Sequence, residues 1–130
     1  MIRPQYHFRP SERGLLAWDV RRLVRLSSAL PVVNVAVAQL REIDENHWYS
    51  HGTVAPTCRS VVEHCQLIIE ADLAYPLILD ESGRVMDGMH RVGKALMQGN
   101  RTVLAVRFTV DPEPDFVGRE PESLPYEEAT

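Results

Sequence analysis

The densest run of chemically able side chains in this chain is Asp87-Gly88-Met89-His90-Arg91, which places a carboxylate, an imidazole and a guanidinium around one glycine. Val85 and Met86 lead into it in an extended pattern, and Met89, Val92, Ala95 and Leu96 then mark one face of a helix. A helix that opens at a glycine straight after a strand presents unpaired N–H groups and the positive end of its dipole. That is chemistry for an anion. Gly88 lets a phosphate approach the backbone, the amide of Met89 follows it, and His90 and Arg91 add a proton donor and a planar fork for phosphate oxygens. Asp87, at the strand's end, can orient a metal ion, the histidine or a substrate hydroxyl. A structural reading fits the same residues, with Asp87 as a cap, Arg91 as an ion-pair partner and His90 as an ordinary histidine.

A second group is acidic: Glu42, Asp44 and Glu45 follow a valine-rich segment. Phosphoryl transfer depends on positioning and electrostatics, with a carboxylate to accept the substrate's hydroxyl proton. Each of the three is a candidate for such a base, and a solvated charged loop explains each of them equally well. Thr57 and Arg59 stand where a second helix begins, a further place for phosphate, and capping and solvation also account for them. Trp48-Tyr49 can stack a base or fill a core. His47 and His51 are four apart, yet Gly52 breaks the helix they would need to share a metal, so no metal is assigned there. Cys58 and Cys65, seven apart on one helix, would lie roughly 10 Å apart along its axis, too far for a disulfide. Both read as small buried hydrophobes.

These groups need elements to hold them. Tyr6 to Arg9 alternates as a short strand stopped by Pro10, and Ser11 can cap a helix carrying Leu16, Val20, Leu23 and Val24 and ending near Ser27-Ser28. Asn34 to Leu40 reads as a largely buried strand. Thr57 opens a helix in which Val61, Val62, Cys65, Ile68 and Ile69 recur at helical steps. Pro76 to Asp80, the turn Glu81-Ser82-Gly83, and Arg84 to Asp87 form a hairpin. The helix after Gly88 closes at Gly99, and Thr102 to Phe108 is a last strand. From Asp111 the chain is acidic and proline-rich, a tail that wraps or stays loose. The sum is one α/β (α+β) domain over residues 1–130, a small mixed sheet flanked by helices.

Composition bounds the function. A chain of 130 residues, 45% apolar and 25% charged, is ordinary for one folded domain. A net charge of −4 offers no broad field for nucleic acid, so direct binding to it is not expected. No apolar run spans a bilayer and the start lacks a signal-peptide core, so the expected location is cytoplasmic and no membrane partner is expected.

The segment from Pro76 to Leu96, with its strand, turn, strand and Gly-x-His-Arg helix start, resembles the ParB/sulfiredoxin superfamily. The preceding helix from Thr57 to Glu70 and the strand from Asn34 to Leu40 fit it too, so the resemblance covers about residues 32–108. An N-terminal helical extension, 1–30, and the tail, 111–130, fall outside. The resemblance implies binding of a nucleotide, ATP, ADP or CTP with Mg²⁺, its phosphates at Gly88, Met89, His90 and Arg91 and near Thr57 and Arg59. Sulfiredoxins carry a cysteine where Met89 stands, which removes their sulfur chemistry. Partition proteins carry DNA-binding and dimerisation regions for which this chain has no room. Free serine kinases carry Asp-Gly-His-His-Arg, matched by Asp87, Gly88, His90 and Arg91. The resemblance therefore implies either a phosphotransferase acting on a small hydroxyl compound, with Glu42, Asp87 and His90 catalytic and Asp87 at the metal, or a non-catalytic nucleotide-sensing or protein-interaction module linked to chromosome partition or other DNA machinery. A homodimer is compatible with both.

Overall fold

The computed structural model describes residues 5–49 and 55–126, which form three α-helices and two small sheets, a mixed α+β architecture. A three-stranded antiparallel sheet has the order β1-β2-β7, from β1 (Tyr6–Arg9), β2 (Leu16–Asp19) and β7 (Phe116–Val117). A four-stranded sheet has the order β3-β6-β4-β5, from β3 (Val33–Ala36), β4 (Leu77–Leu79), β5 (Val85–Asp87) and β6 (Thr102–Arg107). β4 runs parallel to β6 and antiparallel to β5, and β3 is antiparallel to β6. The helices are α1 (Val20–Ser27), α2 (Cys58–Glu70) and α3 (Met89–Met97). None of them is long and apolar enough to cross a membrane.

The four-stranded sheet is covered on both faces, and strand periodicity shows how. Leu77, Leu79, Val85, Val103 and Ala105 point to one face, where they pack with Val92 and Ala95 of α3. Ile78, Met86 and Val106 point to the other, where they meet Leu16, Trp18, Leu23 and Phe108. Central strands buried on both sides read as continuous apolar runs, as Leu77-Ile78-Leu79 does.

The second face is closed by residues read as a peripheral helical extension. The expected helix from Ser11 is a hairpin instead: Ser11 Oγ donates to the Gly14 carbonyl at 2.6 Å and accepts from the Arg13 N–H, and Gly14 turns at φ 100°. Leu16, Ala17 and Trp18 are buried as strand, and the helix begins only at Val20, capped by Asp19, whose carboxylate accepts from the Arg21 N–H. An unbroken apolar triplet suits a helix covered on all sides or a strand between two neighbours, and here β1 and β7 flank it.

The valine-rich strand is shorter and less buried than expected. β3 sits on the sheet edge with its first half exposed, and the chain leaves it in a 3₁₀ turn over Val37–Gln39 that buries Val37. The acidic tail wraps. Its residues 116–117 pair with β2, Asp115 accepts from the Asp19 N–H, and Trp18 Nε1 donates to the Pro112 carbonyl at 2.8 Å.

α2 runs where expected, with the Thr57 hydroxyl accepting from the Ser60 N–H at 3.2 Å. None of its residues is buried, however, and both cysteines are free and exposed. The helix touches the body through α3 and through Trp48 and Tyr49, which leaves the rest of its apolar stripe uncovered. Leu96 of α3 is likewise exposed.

Candidate functional site

The hairpin that delivers the site is locked by Asp80. Its Oδ1 accepts from Ser82 N–H, Ser82 Oγ and Arg84 N–H at 2.7–2.9 Å, and its Oδ2 accepts from Arg9 Nη2 at 2.8 Å. Burial alone would raise this carboxyl; the donors from Ser82 and Arg84 and the charge of Arg9 outweigh it and hold Asp80 below the ordinary range. An Asp two residues before Ser in a Gly-containing turn is an Asx-turn signal, so this anchor was readable in the residues.

At the end of β5 the chain passes through Gly88 at φ 109°, a left-handed conformation. A Cβ there would lie 2.7 Å from Leu77 Cδ2 and 3.1 Å from Arg91 Nη2, so only glycine fits. α3 then starts with no side chain capping it, unlike α1 and α2, which Asp19 and Thr57 cap. The first N–H groups of α3 thus have no side-chain acceptor among the described residues. They open onto a wide groove of about 1830 Å³ whose lining includes Glu42, Trp48, Asp87, Gly88, His90 and Arg91.

The side chains around this helix start are engaged with one another. Arg91 Nη2 donates to Asp87 Oδ2 at 2.9 Å, and Arg91 Nη1 donates to the carbonyls of Tyr75 and Pro76 at 3.0 and 2.8 Å. The guanidinium clamps α3 to the chain entering β4, so the phosphate fork would require it to release these partners. Met89 packs against the core cluster below α3.

His90 lies against residues that spacing does not connect. Its Nε2 is 2.8 Å from His64 Nδ1, and the two rings stack at 5.1 Å. The Trp48 indole stacks on both, at 5.0 Å from His90 and 4.5 Å from His64. Burial, and then the neighbouring charges of His64, His47 and Arg91, lower the His90 imidazole to about 4; burial lowers His64 as well. Both rings are therefore neutral at pH 7, and one N–H bridges two imidazoles. His90 supplies a hydrogen bond there, not a positive charge. Tyr49 and Ser60 share a further hydrogen bond at 3.0 Å that ties the Trp48 segment to α2.

Glu42 is the buried member of the acidic group. It projects from a 3₁₀ turn over Arg41–Asp44, and its Oε2 accepts from the Val85 N–H at 2.7 Å and lies 3.3 Å from Arg84 Nε. Its Oε1 is buried without a partner. Arg84 also grips Glu45, holding that exposed carboxyl below its usual range, while Asp44 is exposed. Glu42 therefore ties its turn to the edge of β5, and a substrate hydroxyl cannot reach it in this arrangement.

The structure thus brings Glu42, Asp87, Gly88, Met89, His90 and Arg91 to one groove and leaves Thr57 and Arg59 off it. α2 and α3 run parallel, as the pairs His64–His90 and Ile68–Gly93 show, so both N-termini point the same way, with α2 beginning roughly 8 Å further out at 1.5 Å per residue. Among the described residues no group of three or more His, Cys, Asp or Glu side chains could hold a metal ion. His51 lies outside the described residues. Asp87 Oδ1 takes no hydrogen bond among them, which suits a Mg²⁺ ion carried mainly by phosphates and touched by one carboxylate. Comparison of the chain with protein-family models, with curated proteins and with solved structures finds no match.

Proposed function

We propose that this chain binds a nucleotide, with its phosphates on the N–H groups of the first turn of α3, and that it acts as a sensing or interaction module without turning the nucleotide over. The uncapped start of α3 on an open groove carries this reading: of the three helices, it alone begins with no side-chain cap on its backbone donors. Trp48 at the groove offers an aromatic surface for a base, and Asp87 Oδ1 offers one ligand to Mg²⁺. The resemblance of Asp87-Gly88-Met89-His90-Arg91 to the ParB/sulfiredoxin helix start points the same way. The buried, doubly engaged carboxylate of Glu42 favours binding over phosphotransfer to a small hydroxyl compound.

The test is calorimetry with ATP, ADP and CTP in the presence of Mg²⁺, paired with phosphorus NMR against a panel of hydroxyl metabolites. Replacing Met89 by its α-hydroxy acid analogue turns its N–H into an ester oxygen and deletes one orphan donor while keeping the side chain that packs on the core. It is expected to weaken nucleotide binding roughly tenfold, the worth of one hydrogen bond to a charged group. Arg59→Ala, off the groove, is expected to leave it unchanged. Absence of binding for all three nucleotides defeats the proposal; phosphate transfer to a metabolite replaces it with the kinase reading.

A further inference from the structure

A helix of 13 residues with no buried side chain leaves most of its surface unused by the domain. At 100° per residue, α2 divides into three sectors. Ser60, His64 and Ile68 face the body, touching Tyr49, His90 and Gly93. Arg59, Glu63, Gln66 and Glu70 occupy a polar edge, with the exposed Leu67 between that edge and the body on the far side of the helix. Between them lies an apolar stripe of Cys58, Val61, Val62, Cys65 and Ile69, all exposed, with Val61, Val62 and Ile69 showing 44%, 58% and 60% of their surface.

We propose that this stripe is a dimer interface, on which α2 packs antiparallel against α2 of a second copy of the chain, with the two-fold axis at Cys65. The stripe is symmetric about that residue. Placing Cys65 against the partner's Cys65 sets Val61 against the partner's Ile69, four positions to either side. A two-fold axis perpendicular to the helix pair keeps both polar edges on the same side, as an isologous contact requires. Arg59 then comes beside the partner's Glu70, and Glu63 beside the partner's Gln66. The charge order of the edge, basic at the N-terminal end and acidic at the C-terminal end, is thus self-complementary only for the antiparallel pair. A parallel pair, with its axis along the helices, puts the polar edges on opposite sides and leaves Arg59 without the partner's carboxylate. Antiparallel packing also opposes the two helix dipoles favourably.

The experiment is sedimentation equilibrium of the reduced full chain over a dilution series, with circular dichroism confirming that each variant is folded. Wild type is expected at twice the 14.8 kDa chain mass. Val62→Glu is expected to run at chain mass. Arg59→Glu is expected to weaken the dimer roughly tenfold or more, because it sets like charges across the interface, and Arg59→Glu with Glu70→Arg is expected to restore it. Under diamide, which takes up the two hydrogens released by two thiols, Cys58→Ser is expected to form a covalent dimer and Cys65→Ser none. A monomer at every concentration overturns the proposal, as does a dimer that survives Val62→Glu, a charge swap that fails to restore association, or cross-linking that proceeds through Cys58.

Discussion

Gly88→Ala is the sharpest perturbation of the helix start. Two costs add there. An alanine at φ 109° meets left-handed strain of about 1–2 kcal/mol, and its Cβ lies 2.7 Å from Leu77 Cδ2 in a fully buried side chain, an overpacking worth about 1–3 kcal/mol. The expected loss is about 3 kcal/mol. At an unfolding entropy of about 2.1 cal/mol/K per residue, a chain of 130 residues loses roughly 10 °C of midpoint temperature. Gly99→Ala supplies the control, because Gly99 also has positive φ, 71°, but a Cβ there meets nothing within 4 Å. Urea unfolding followed by the fluorescence of the buried Trp18 compares the two. Gly99→Ala is expected to cost only the strain, about 1 kcal/mol. If Gly88→Ala costs no more than Gly99→Ala, Leu77 does not roof the turn and the packing described for it is wrong.

Three further outcomes are expected. Burial lowers both His7 and His90 to about 4, below the 6.5 of an unfolded histidine, so the unfolded chain takes up protons first. Stability is then fully present above pH 6.5 and falls as pH drops from 6.5 toward 4; urea midpoints at several pH values measure it, His7→Gln should flatten the slope, and equal midpoints at pH 7 and pH 5 would refute it. Asp80→Asn should cost about 1–3 kcal/mol, since it removes a charged acceptor from the turn donors while Arg9, about a third exposed, keeps Asp111 as its partner; a loss below about 0.5 kcal/mol in the same unfolding assay would remove Asp80 as the hairpin's anchor. Removing residues 111–130 should expose Trp18 and shift its emission to longer wavelength, because the tail supplies the Pro112 acceptor and the strand beside β2; unchanged emission would mean that the tail does not seal this core.

The elements around the site were legible because their signals are local. Asp80-Glu81-Ser82-Gly83 carries its own turn chemistry, Thr57 its own cap, and Gly88 a strand-to-helix break. What periodicity could not convey is coverage. The stripe of α2 announces an amphipathic helix equally whether a sheet, a partner or water lies against it, and so Cys58 and Cys65 were expected inside. Leu16-Ala17-Trp18 fits a buried helix or a buried strand, and only pairing with β1 and β7 decides it. The contacts that set the chemistry are long-range. His64 and His90 are 26 positions apart, Glu42 reaches Val85 across 43, and nothing in the acidic run distinguishes the one carboxylate that is buried. The motif Asp87 to Arg91 was visible as residues, but the turning of Arg91 toward Tyr75 and Pro76 depends on where β4 begins.

The uncapped amides of α3 are the proposed seat of nucleotide phosphate, and amide-resolved NMR titration tests this most directly. Addition of ATP, ADP or CTP with Mg²⁺ to ¹⁵N-labelled protein is expected to shift the amide resonances of Met89, His90 and Arg91 first and furthest, together with the Trp48 indole N–H, while Arg59 stays in place. Saturating shifts that centre elsewhere, or spectra that do not change with any of the three nucleotides, would contradict it.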